Sequence, residues 1–419
     1  MSEWTRVAGF ILGLAIVAVT ASSVFTTLVV PRAGSSRMLR SISKGLARSV
    51  KPILRRTMTY EAKDRIMALV GPLGMVLLFV VWLVWVVVGF GLIEWWPSGA
   101  DLGHAMAVSG SSVFTLGIAS ESRHGSETIE FVAAGTGLLI IALEIAYLPT
   151  LYSAFSARET EITLLGTRAG IPAWGPEILA RHHWFNNSSE LPDLYRTWER
   201  WAAAVTESHT NYPSLMWFRS PVPWRFWLTA MTAMLDSAAL NDALCPSTAP
   251  RQGRTYLQMG TNCLRGLARV LRVPFDPDPL PTTPIRLTYE EYLEGVQRLV
   301  EVGYPMERTP EEAWPHFSGW RVNYEPIVDA LTGLVMPPPA PWFPRRPRIG
   351  PTHFPRVLDR TPEDPHATRS AEGGDDLGGN EPDGVVAGQF EREEREERQE
   401  SDERDRGGAR RDEHRPAPD

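Results

Sequence analysis

Residues 101–120 read DLGHAMAVSGSSVFTLGIAS, and the chemistry on offer there belongs to the main chain rather than to side chains. Thr115, Leu116, Gly117, Ile118 and Ala119 carry one hydroxyl and no charge between them. What such a loop can supply is backbone carbonyls, whose oxygens replace the water around a dehydrated cation. Glycine permits the dihedrals that this arrangement needs. Asp101 can cap a short helix passing through Val108 and ending near Phe114. A helix so placed aims the negative end of its dipole at the Thr115–Ala119 stretch. The competing reading is an ordinary connecting loop.

Elsewhere the candidates are few. Glu144 is an acid in an apolar run, costly there unless it meets water or a partner. In a symmetric assembly it forms a ring that concentrates cations; the alternative is snorkelling to the interface. Gly135 and Gly137, nearby in the same run, permit helix bending or close packing. His182 and His183 lack the spaced companions of a metal site. His209, Tyr212 and Arg219 are candidates for a ligand-sensing polar cluster, although Trp198, Trp201 and Trp217 favour a satisfied core network. Phosphate-cradling loops, zincin motifs and nucleophile elbows are missing from the sequence. No enzyme, cofactor, metal or nucleic-acid partner is therefore expected. Cys245 and Cys263 have no metal-ligand spacing, and two cysteines make no disulfide framework.

The elements that must hold the loop are apolar. Residues 7–30 are uncharged over 24 positions, enough to cross a hydrocarbon core about 30 Å thick. A cleaved signal peptide has a shorter apolar region behind a positive leader, whereas here Arg6 stands against Glu3. Gly9 and Gly13 form a small-xxx-small pair suited to close helix approach. A second run covers residues 66–96, ending in the interface anchors Trp95 and Trp96. A third covers residues 129–148, with Pro149 expected to close it. Between the first two lie ten Lys or Arg residues in positions 31–65, so this segment is expected on the cytoplasmic side. The N-terminus and the 101–120 stretch then lie outside, in a multi-pass protein of the plasma membrane. Arg37, Arg40, Lys44, Arg48, Lys51 and Arg55 recur every three or four residues, the spacing of one face of a helix lying on the anionic inner leaflet of the bilayer.

With Gly103, Thr115, Leu116, Gly117 and Tyr147-Leu148-Pro149 in view, the chain resembles the potassium-channel family, and within it actinobacterial-type proteins with a soluble domain after the last span. WERWAAAVTESHTNYPSLMWFRS (198–220), WLTAMTAMLDSAAL (227–240) and SGWRVNYE (318–325) resemble that soluble part. The resemblance covers residues 60–345 and implies a homo-tetramer that passes monovalent cations, potassium foremost. The family's filter reads Thr-Val/Leu-Gly-Tyr-Gly-Asp. Ile118 stands where the family has tyrosine, Ala119 where it has the second glycine and Ser120 where it has aspartate. If Ala119 must be left-handed, its Cβ costs about 1–2 kcal/mol.

The expected fold is an all-α membrane protein with three transmembrane helices and a re-entrant pore loop between the second and third. Its parts are an N-terminal transmembrane helix (1–30), a basic linker (31–65), a pore module (66–156), a helical cytoplasmic domain (157–336) and a disordered Pro-rich and charged tail (337–419). In the soluble part Leu191, Leu194, Trp198, Trp201 and Val205 recur at helical spacing, as do Leu264, Leu267 and Leu271, and Tyr292, Val296 and Leu299. Thr288 with Glu291 and Thr309 with Glu312 read as capping boxes. Two functions follow: a cation channel with a degenerate filter, regulated or assembled by its soluble domain, or a non-conducting scaffold or sensor derived from such a module.

Overall fold

A computed structural model of the protein describes residues 3–30, 45, 58–121, 126–185 and 188–344. The stripe of Arg37, Arg40, Lys44, Arg48, Lys51 and Arg55 lies outside the described residues, as does the tail from 345 onward. Every regular element among the described residues is helical. In chain order these are α1 (Glu3–Leu28), α2 (Tyr60–Ala68), α3 (Val70–Ser98), α4 (Leu102–Val113), α5 (Ser126–Ala169), α6 (Gly175–Trp184), α7 (Leu191–Asn211), α8 (Trp227–Leu244), α9 (Arg251–Leu271), α10 (Tyr289–Glu301), α11 (Pro310–Arg321) and α12 (Glu325–Val335).

Among the described residues, three helical stretches are long and apolar enough to cross a membrane: α1, the stretch Tyr60–Ser98 that α2 and α3 make together, and α5. They make one bundle with α3 at its centre, and its core is Leu78, Trp82, Val86, Phe90 and Ile93 of α3 with Val24, Val113, Ala133 and Ile140. α1 approaches α3 where side chains are missing. A Cβ on Gly13 would stand 2.6 Å from the Gly89 carbonyl, and one on Gly9 would stand 3.0 Å from the Trp95 ring. The Gly9/Gly13 pair therefore sits in a helix contact, as small residues do where backbones come close.

Two sequence boundaries move. Pro149 does not end the third span, because α5 runs on as one helix for 44 residues. A proline inside a helix forfeits one hydrogen bond and crowds the preceding turn. Here Tyr147 and Leu151 on either side are buried, and that packing carries the helix through. The second apolar run begins at Val70 rather than 66, after a separate α2 whose N-cap is Thr59.

The helices that follow α5 surround α8, which is buried along its length apart from Asp242. α6, α9 and α11 pack on it. Leu191, Leu194, Trp198, Trp201 and Val205 of α7 all point into this core. Both capping boxes are present. At its centre Arg321 donates to Asp236 at 2.5 Å and to Glu325 at 2.9 Å, and Tyr324 donates to Asp236 at 2.7 Å. The chain does not leave the domain at 337 as expected. Ala340, Trp342 and Phe343 are buried, and Arg321 donates to the Trp342 carbonyl at 2.5 Å. Prolines forbid a helix there, but an extended segment can still bury two rings.

Candidate functional site

The 114–121 loop is built by α4. Asp101 caps that helix, accepting from the Gly103 and His104 amides at 3.0 and 3.4 Å. Twelve residues at 1.5 Å each make α4 about 18 Å long, too short to cross a bilayer core about 30 Å thick. Ser109 Oγ donates to the Val87 carbonyl at 2.7 Å, fastening α4 to α3. Met106 presses on Gly91, where no side chain intervenes.

α4 ends in a Schellman turn. The Thr115 amide donates to Ser112 O at 2.9 Å and the Leu116 amide to Ser111 O at 2.8 Å. That turn needs a left-handed residue, and the residue is Thr115, with φ 53°. A β-branched residue there is strained, as backbone at functional sites often is. Gly117 is the second left-handed position, with φ 68° and open space where a Cβ would be. Ala119 is not left-handed, so the strain expected from its Cβ falls instead on Thr115.

One buried hydroxyl organises the rest. Ser111 Oγ accepts from the Ile118 and Ala119 amides at 3.0 and 3.1 Å. With Phe114 donating to Gly110 O at 3.1 Å, every amide of residues 114–119 except that of Gly117 is bonded back toward α4. The carbonyls of those six residues accept no hydrogen bond from the described residues. Leu116 and Ile118 expose 58% and 80% of their surfaces.

α5 closes the back of the loop. Gly137 lies against the Val113 carbonyl at the last turn of α4, in space that a Cβ would overlap, while Gly135 has nothing within 4 Å of its Cβ position. Of the two glycines, only Gly137 is a packing contact within the chain. Glu144 is half-buried with Oε1 shielded and without a hydrogen-bond partner. It lies mid-helix, since α5 continues well past the expected end at residue 148. Beside the C-terminal end of α3, Glu121 N donates to Glu130 Oε1 at 2.8 Å and His104 Nε2 lies 3.6 Å from Glu121 Oε2. Glu94 is buried among them beside Ser126, neither oxygen within hydrogen-bonding geometry of a donor among the described residues. Glu94 and Ser111 escaped the sequence reading, although an acid inside an apolar run was a legible signal for the first.

The His209–Tyr212–Arg219 group divides into two networks. His209 Nε2 lies 3.1 Å from Arg158 Nη1; the guanidinium can only donate, so this ring nitrogen accepts and the imidazole is neutral. Burial first, and the Arg158 charge second, hold its pKa well below the usual histidine value. Arg219 pairs instead with Asp64 of α2. His182 Nδ1 bonds the Ile178 carbonyl at 2.7 Å, and the described residues hold no group of three or more metal-ligating side chains. Compared with family models, with curated proteins and with solved structures, the chain matches none.

Proposed function

We propose that copies of this chain assemble around the 114–121 loop into a cation-conducting pore of the potassium-channel type, set in the plasma membrane. The observation that carries this reading is the division of the loop's polar groups. Every amide of residues 114–119 but that of Gly117 is satisfied by Ser111 or by the end of α4, while the 114–119 carbonyls accept nothing from the described residues. Free carbonyls beyond the negative end of a helix make a place for a cation and repel an anion. A single chain leaves the loop open on one side, so further copies are needed to close a path, four in the arrangement that the resemblance implies. The basic 31–65 segment then lies in the cytoplasm with the helical domain.

Thr115, Leu116 and Gly117 form the family-like inner half of the path. Ile118, Ala119 and Ser120 form an outer half that lacks the family's tyrosine, glycine and aspartate. That substitution favours a second reading, a non-conducting scaffold or sensor, because Ile118 offers no hydroxyl to brace the loop. Liposomes carrying the purified protein decide between them. A channel passes potassium or sodium above protein-free liposomes, and Gly117→Val abolishes the flux. An assembled oligomer that passes neither ion is the scaffold.

A further inference from the structure

Residues 212–220 form no long element, yet they touch both membrane-crossing helices that flank the loop. Leu215 is fully buried with Met75 of α3 and with Tyr147 and Leu151 of α5. Tyr212 meets Tyr147 edge-on at 5.3 Å. Phe218 lies between Gly71 and Phe155: a Cβ on Gly71 would stand 2.7 Å from its ring, and the Phe155 ring is 5.7 Å away. The segment is a wedge between the first turns of α3 and the middle of α5.

Two buried arginines fix it. From α5, Arg158 donates to the Leu215 and Phe218 carbonyls, each at 2.8 Å, while Glu159 balances its charge at 2.7 Å. The Trp201 indole of α7 donates to the Arg158 carbonyl at 3.1 Å. From the wedge, Arg219 pairs with Asp64, and its Nη2 donates to Tyr60 Oη at 2.8 Å. The same guanidinium donates to the Val335 and Met336 carbonyls, at 2.9 and 2.7 Å, at the end of α12. One side chain thus joins α2, the wedge and the last helix of the soluble domain.

We infer that this wedge is the coupling element through which the helical domain controls the pore. α5 also packs directly on α6, α7 and α8, but Arg158 and Arg219 are where α7 and α12 are bonded to the segment that lies against α3. Both hold the segment that spaces α3 from α5. α5 in turn carries Gly137 against the last turn of α4, so its position bears on the loop itself. The inference rests on the pore reading given above.

The test uses the full-length protein in planar bilayers and in detergent. Phe218→Leu shortens the wedge while leaving both arginines, and Asp64→Asn removes the latch charge. For each we expect mean open time to change at least fivefold with single-channel conductance unaltered. Hydrogen exchange should rise at least tenfold in residues 60–71 and 149–160 and stay as in the parent within α8. Should Asp64→Asn not fold, Phe218→Leu carries the test alone. Unaltered open times in a conducting variant with loosened exchange overturn the coupling and leave the pore standing. Exchange rising across α8 as well makes the segment a general support, which also overturns it. A parent protein that passes no current overturns the pore reading, and control by the wedge falls with it.

Discussion

Gly135 and Gly137 lie two positions apart on α5 and should answer the same substitution in opposite ways. Alanine in a helix interior gains about 0.8–1 kcal/mol over glycine, and that gain is common to both sites. At Gly135 a Cβ meets nothing within 4 Å, so the gain stands. At Gly137 the new methyl overlaps the Val113 carbonyl oxygen and lies 2.9 Å from its carbon and 3.0 Å from Cγ1. Backbone cannot swing aside as a side-chain tip can, so α5 must retreat from α4. Val113, Ala133 and Ile140 then lose contact. Overpacking of this kind costs about 1–3 kcal/mol. Because the propensity gain cancels between the variants, the gap between Gly135→Ala and Gly137→Ala is that penalty. Unfolding in mixed micelles, followed by circular dichroism, measures it directly. Equal stabilities would refute the close approach of α5 to α4. A Gly135→Ala variant that is destabilised only when assembled would show that its open face meets another copy.

Ser111→Ala leaves the Ile118 and Ala119 amides without their acceptor, a loss of about 1–3 kcal/mol; the ratio of potassium to sodium flux in liposomes should move toward one. Asp236→Ala leaves Arg321 buried beside Glu325 alone, and breaking such a pair costs about 3–5 kcal/mol; Arg254→Ala, at the partly exposed pair with Asp242, should cost at most about 1 kcal/mol in the same denaturant titration. Trp342→Ala should destabilise by about 3–5 kcal/mol, a result that a tail without packing at 337–344 would not give. His209 is held neutral in the fold, so acid favours the unfolded chain: stability should fall as pH drops below about 6.5, with a slope of up to about 1.4 kcal/mol per pH unit. His209→Gln should reduce that slope in melting temperatures taken between pH 7 and 6, and His182, also held below the usual histidine value by burial, supplies a remainder; Asp236 and Asp329, both pushed up to about 6 by burial, work in the opposite sense as the pH nears 6.

What the sequence made legible was whatever is decided within one or two helical turns. The caps at Asp101, Thr288 and Thr309 are short-range contests between a side chain and its neighbouring amides, and each stands as read. The stripe through Leu191, Leu194, Trp198, Trp201 and Val205 is a matter of period alone. Pro149 went the other way because its local cost was outweighed by burial at Tyr147 and Leu151, which no window around the proline reveals. The left-handed residue was sought at Ala119 by analogy with a glycine. It falls at Thr115 because the turn that ends α4 sets the backbone there. Ser111 was hidden for a similar reason, as a serine in a serine-rich helix announces nothing until the chain folds back seven residues later. Arg219 and Asp64 are 155 residues apart, and their pairing has no signature in either segment.

Arginine at 158 and 219 explains why this junction is a joint rather than a patch of apolar packing. Each guanidinium presents donors in a fixed plane, and each is used on several partners at once: two carbonyls, a carboxylate and an imidazole at Arg158, two carbonyls, a carboxylate and a phenol at Arg219. Lysine would bring the same charge without the fork, and leucine would leave those carbonyls buried and unpaired, at about 1–3 kcal/mol apiece. Arg219 also sits at the negative end of α12, where a cation is favoured by the helix dipole. An apolar interface can slide by fractions of an ångström at little cost. A buried network of directed bonds holds its geometry or is lost as a unit. That all-or-none character is what the inferred coupling asks of the junction, since a contact that slid freely would pass no displacement from α7 or α12 to α3 and α5.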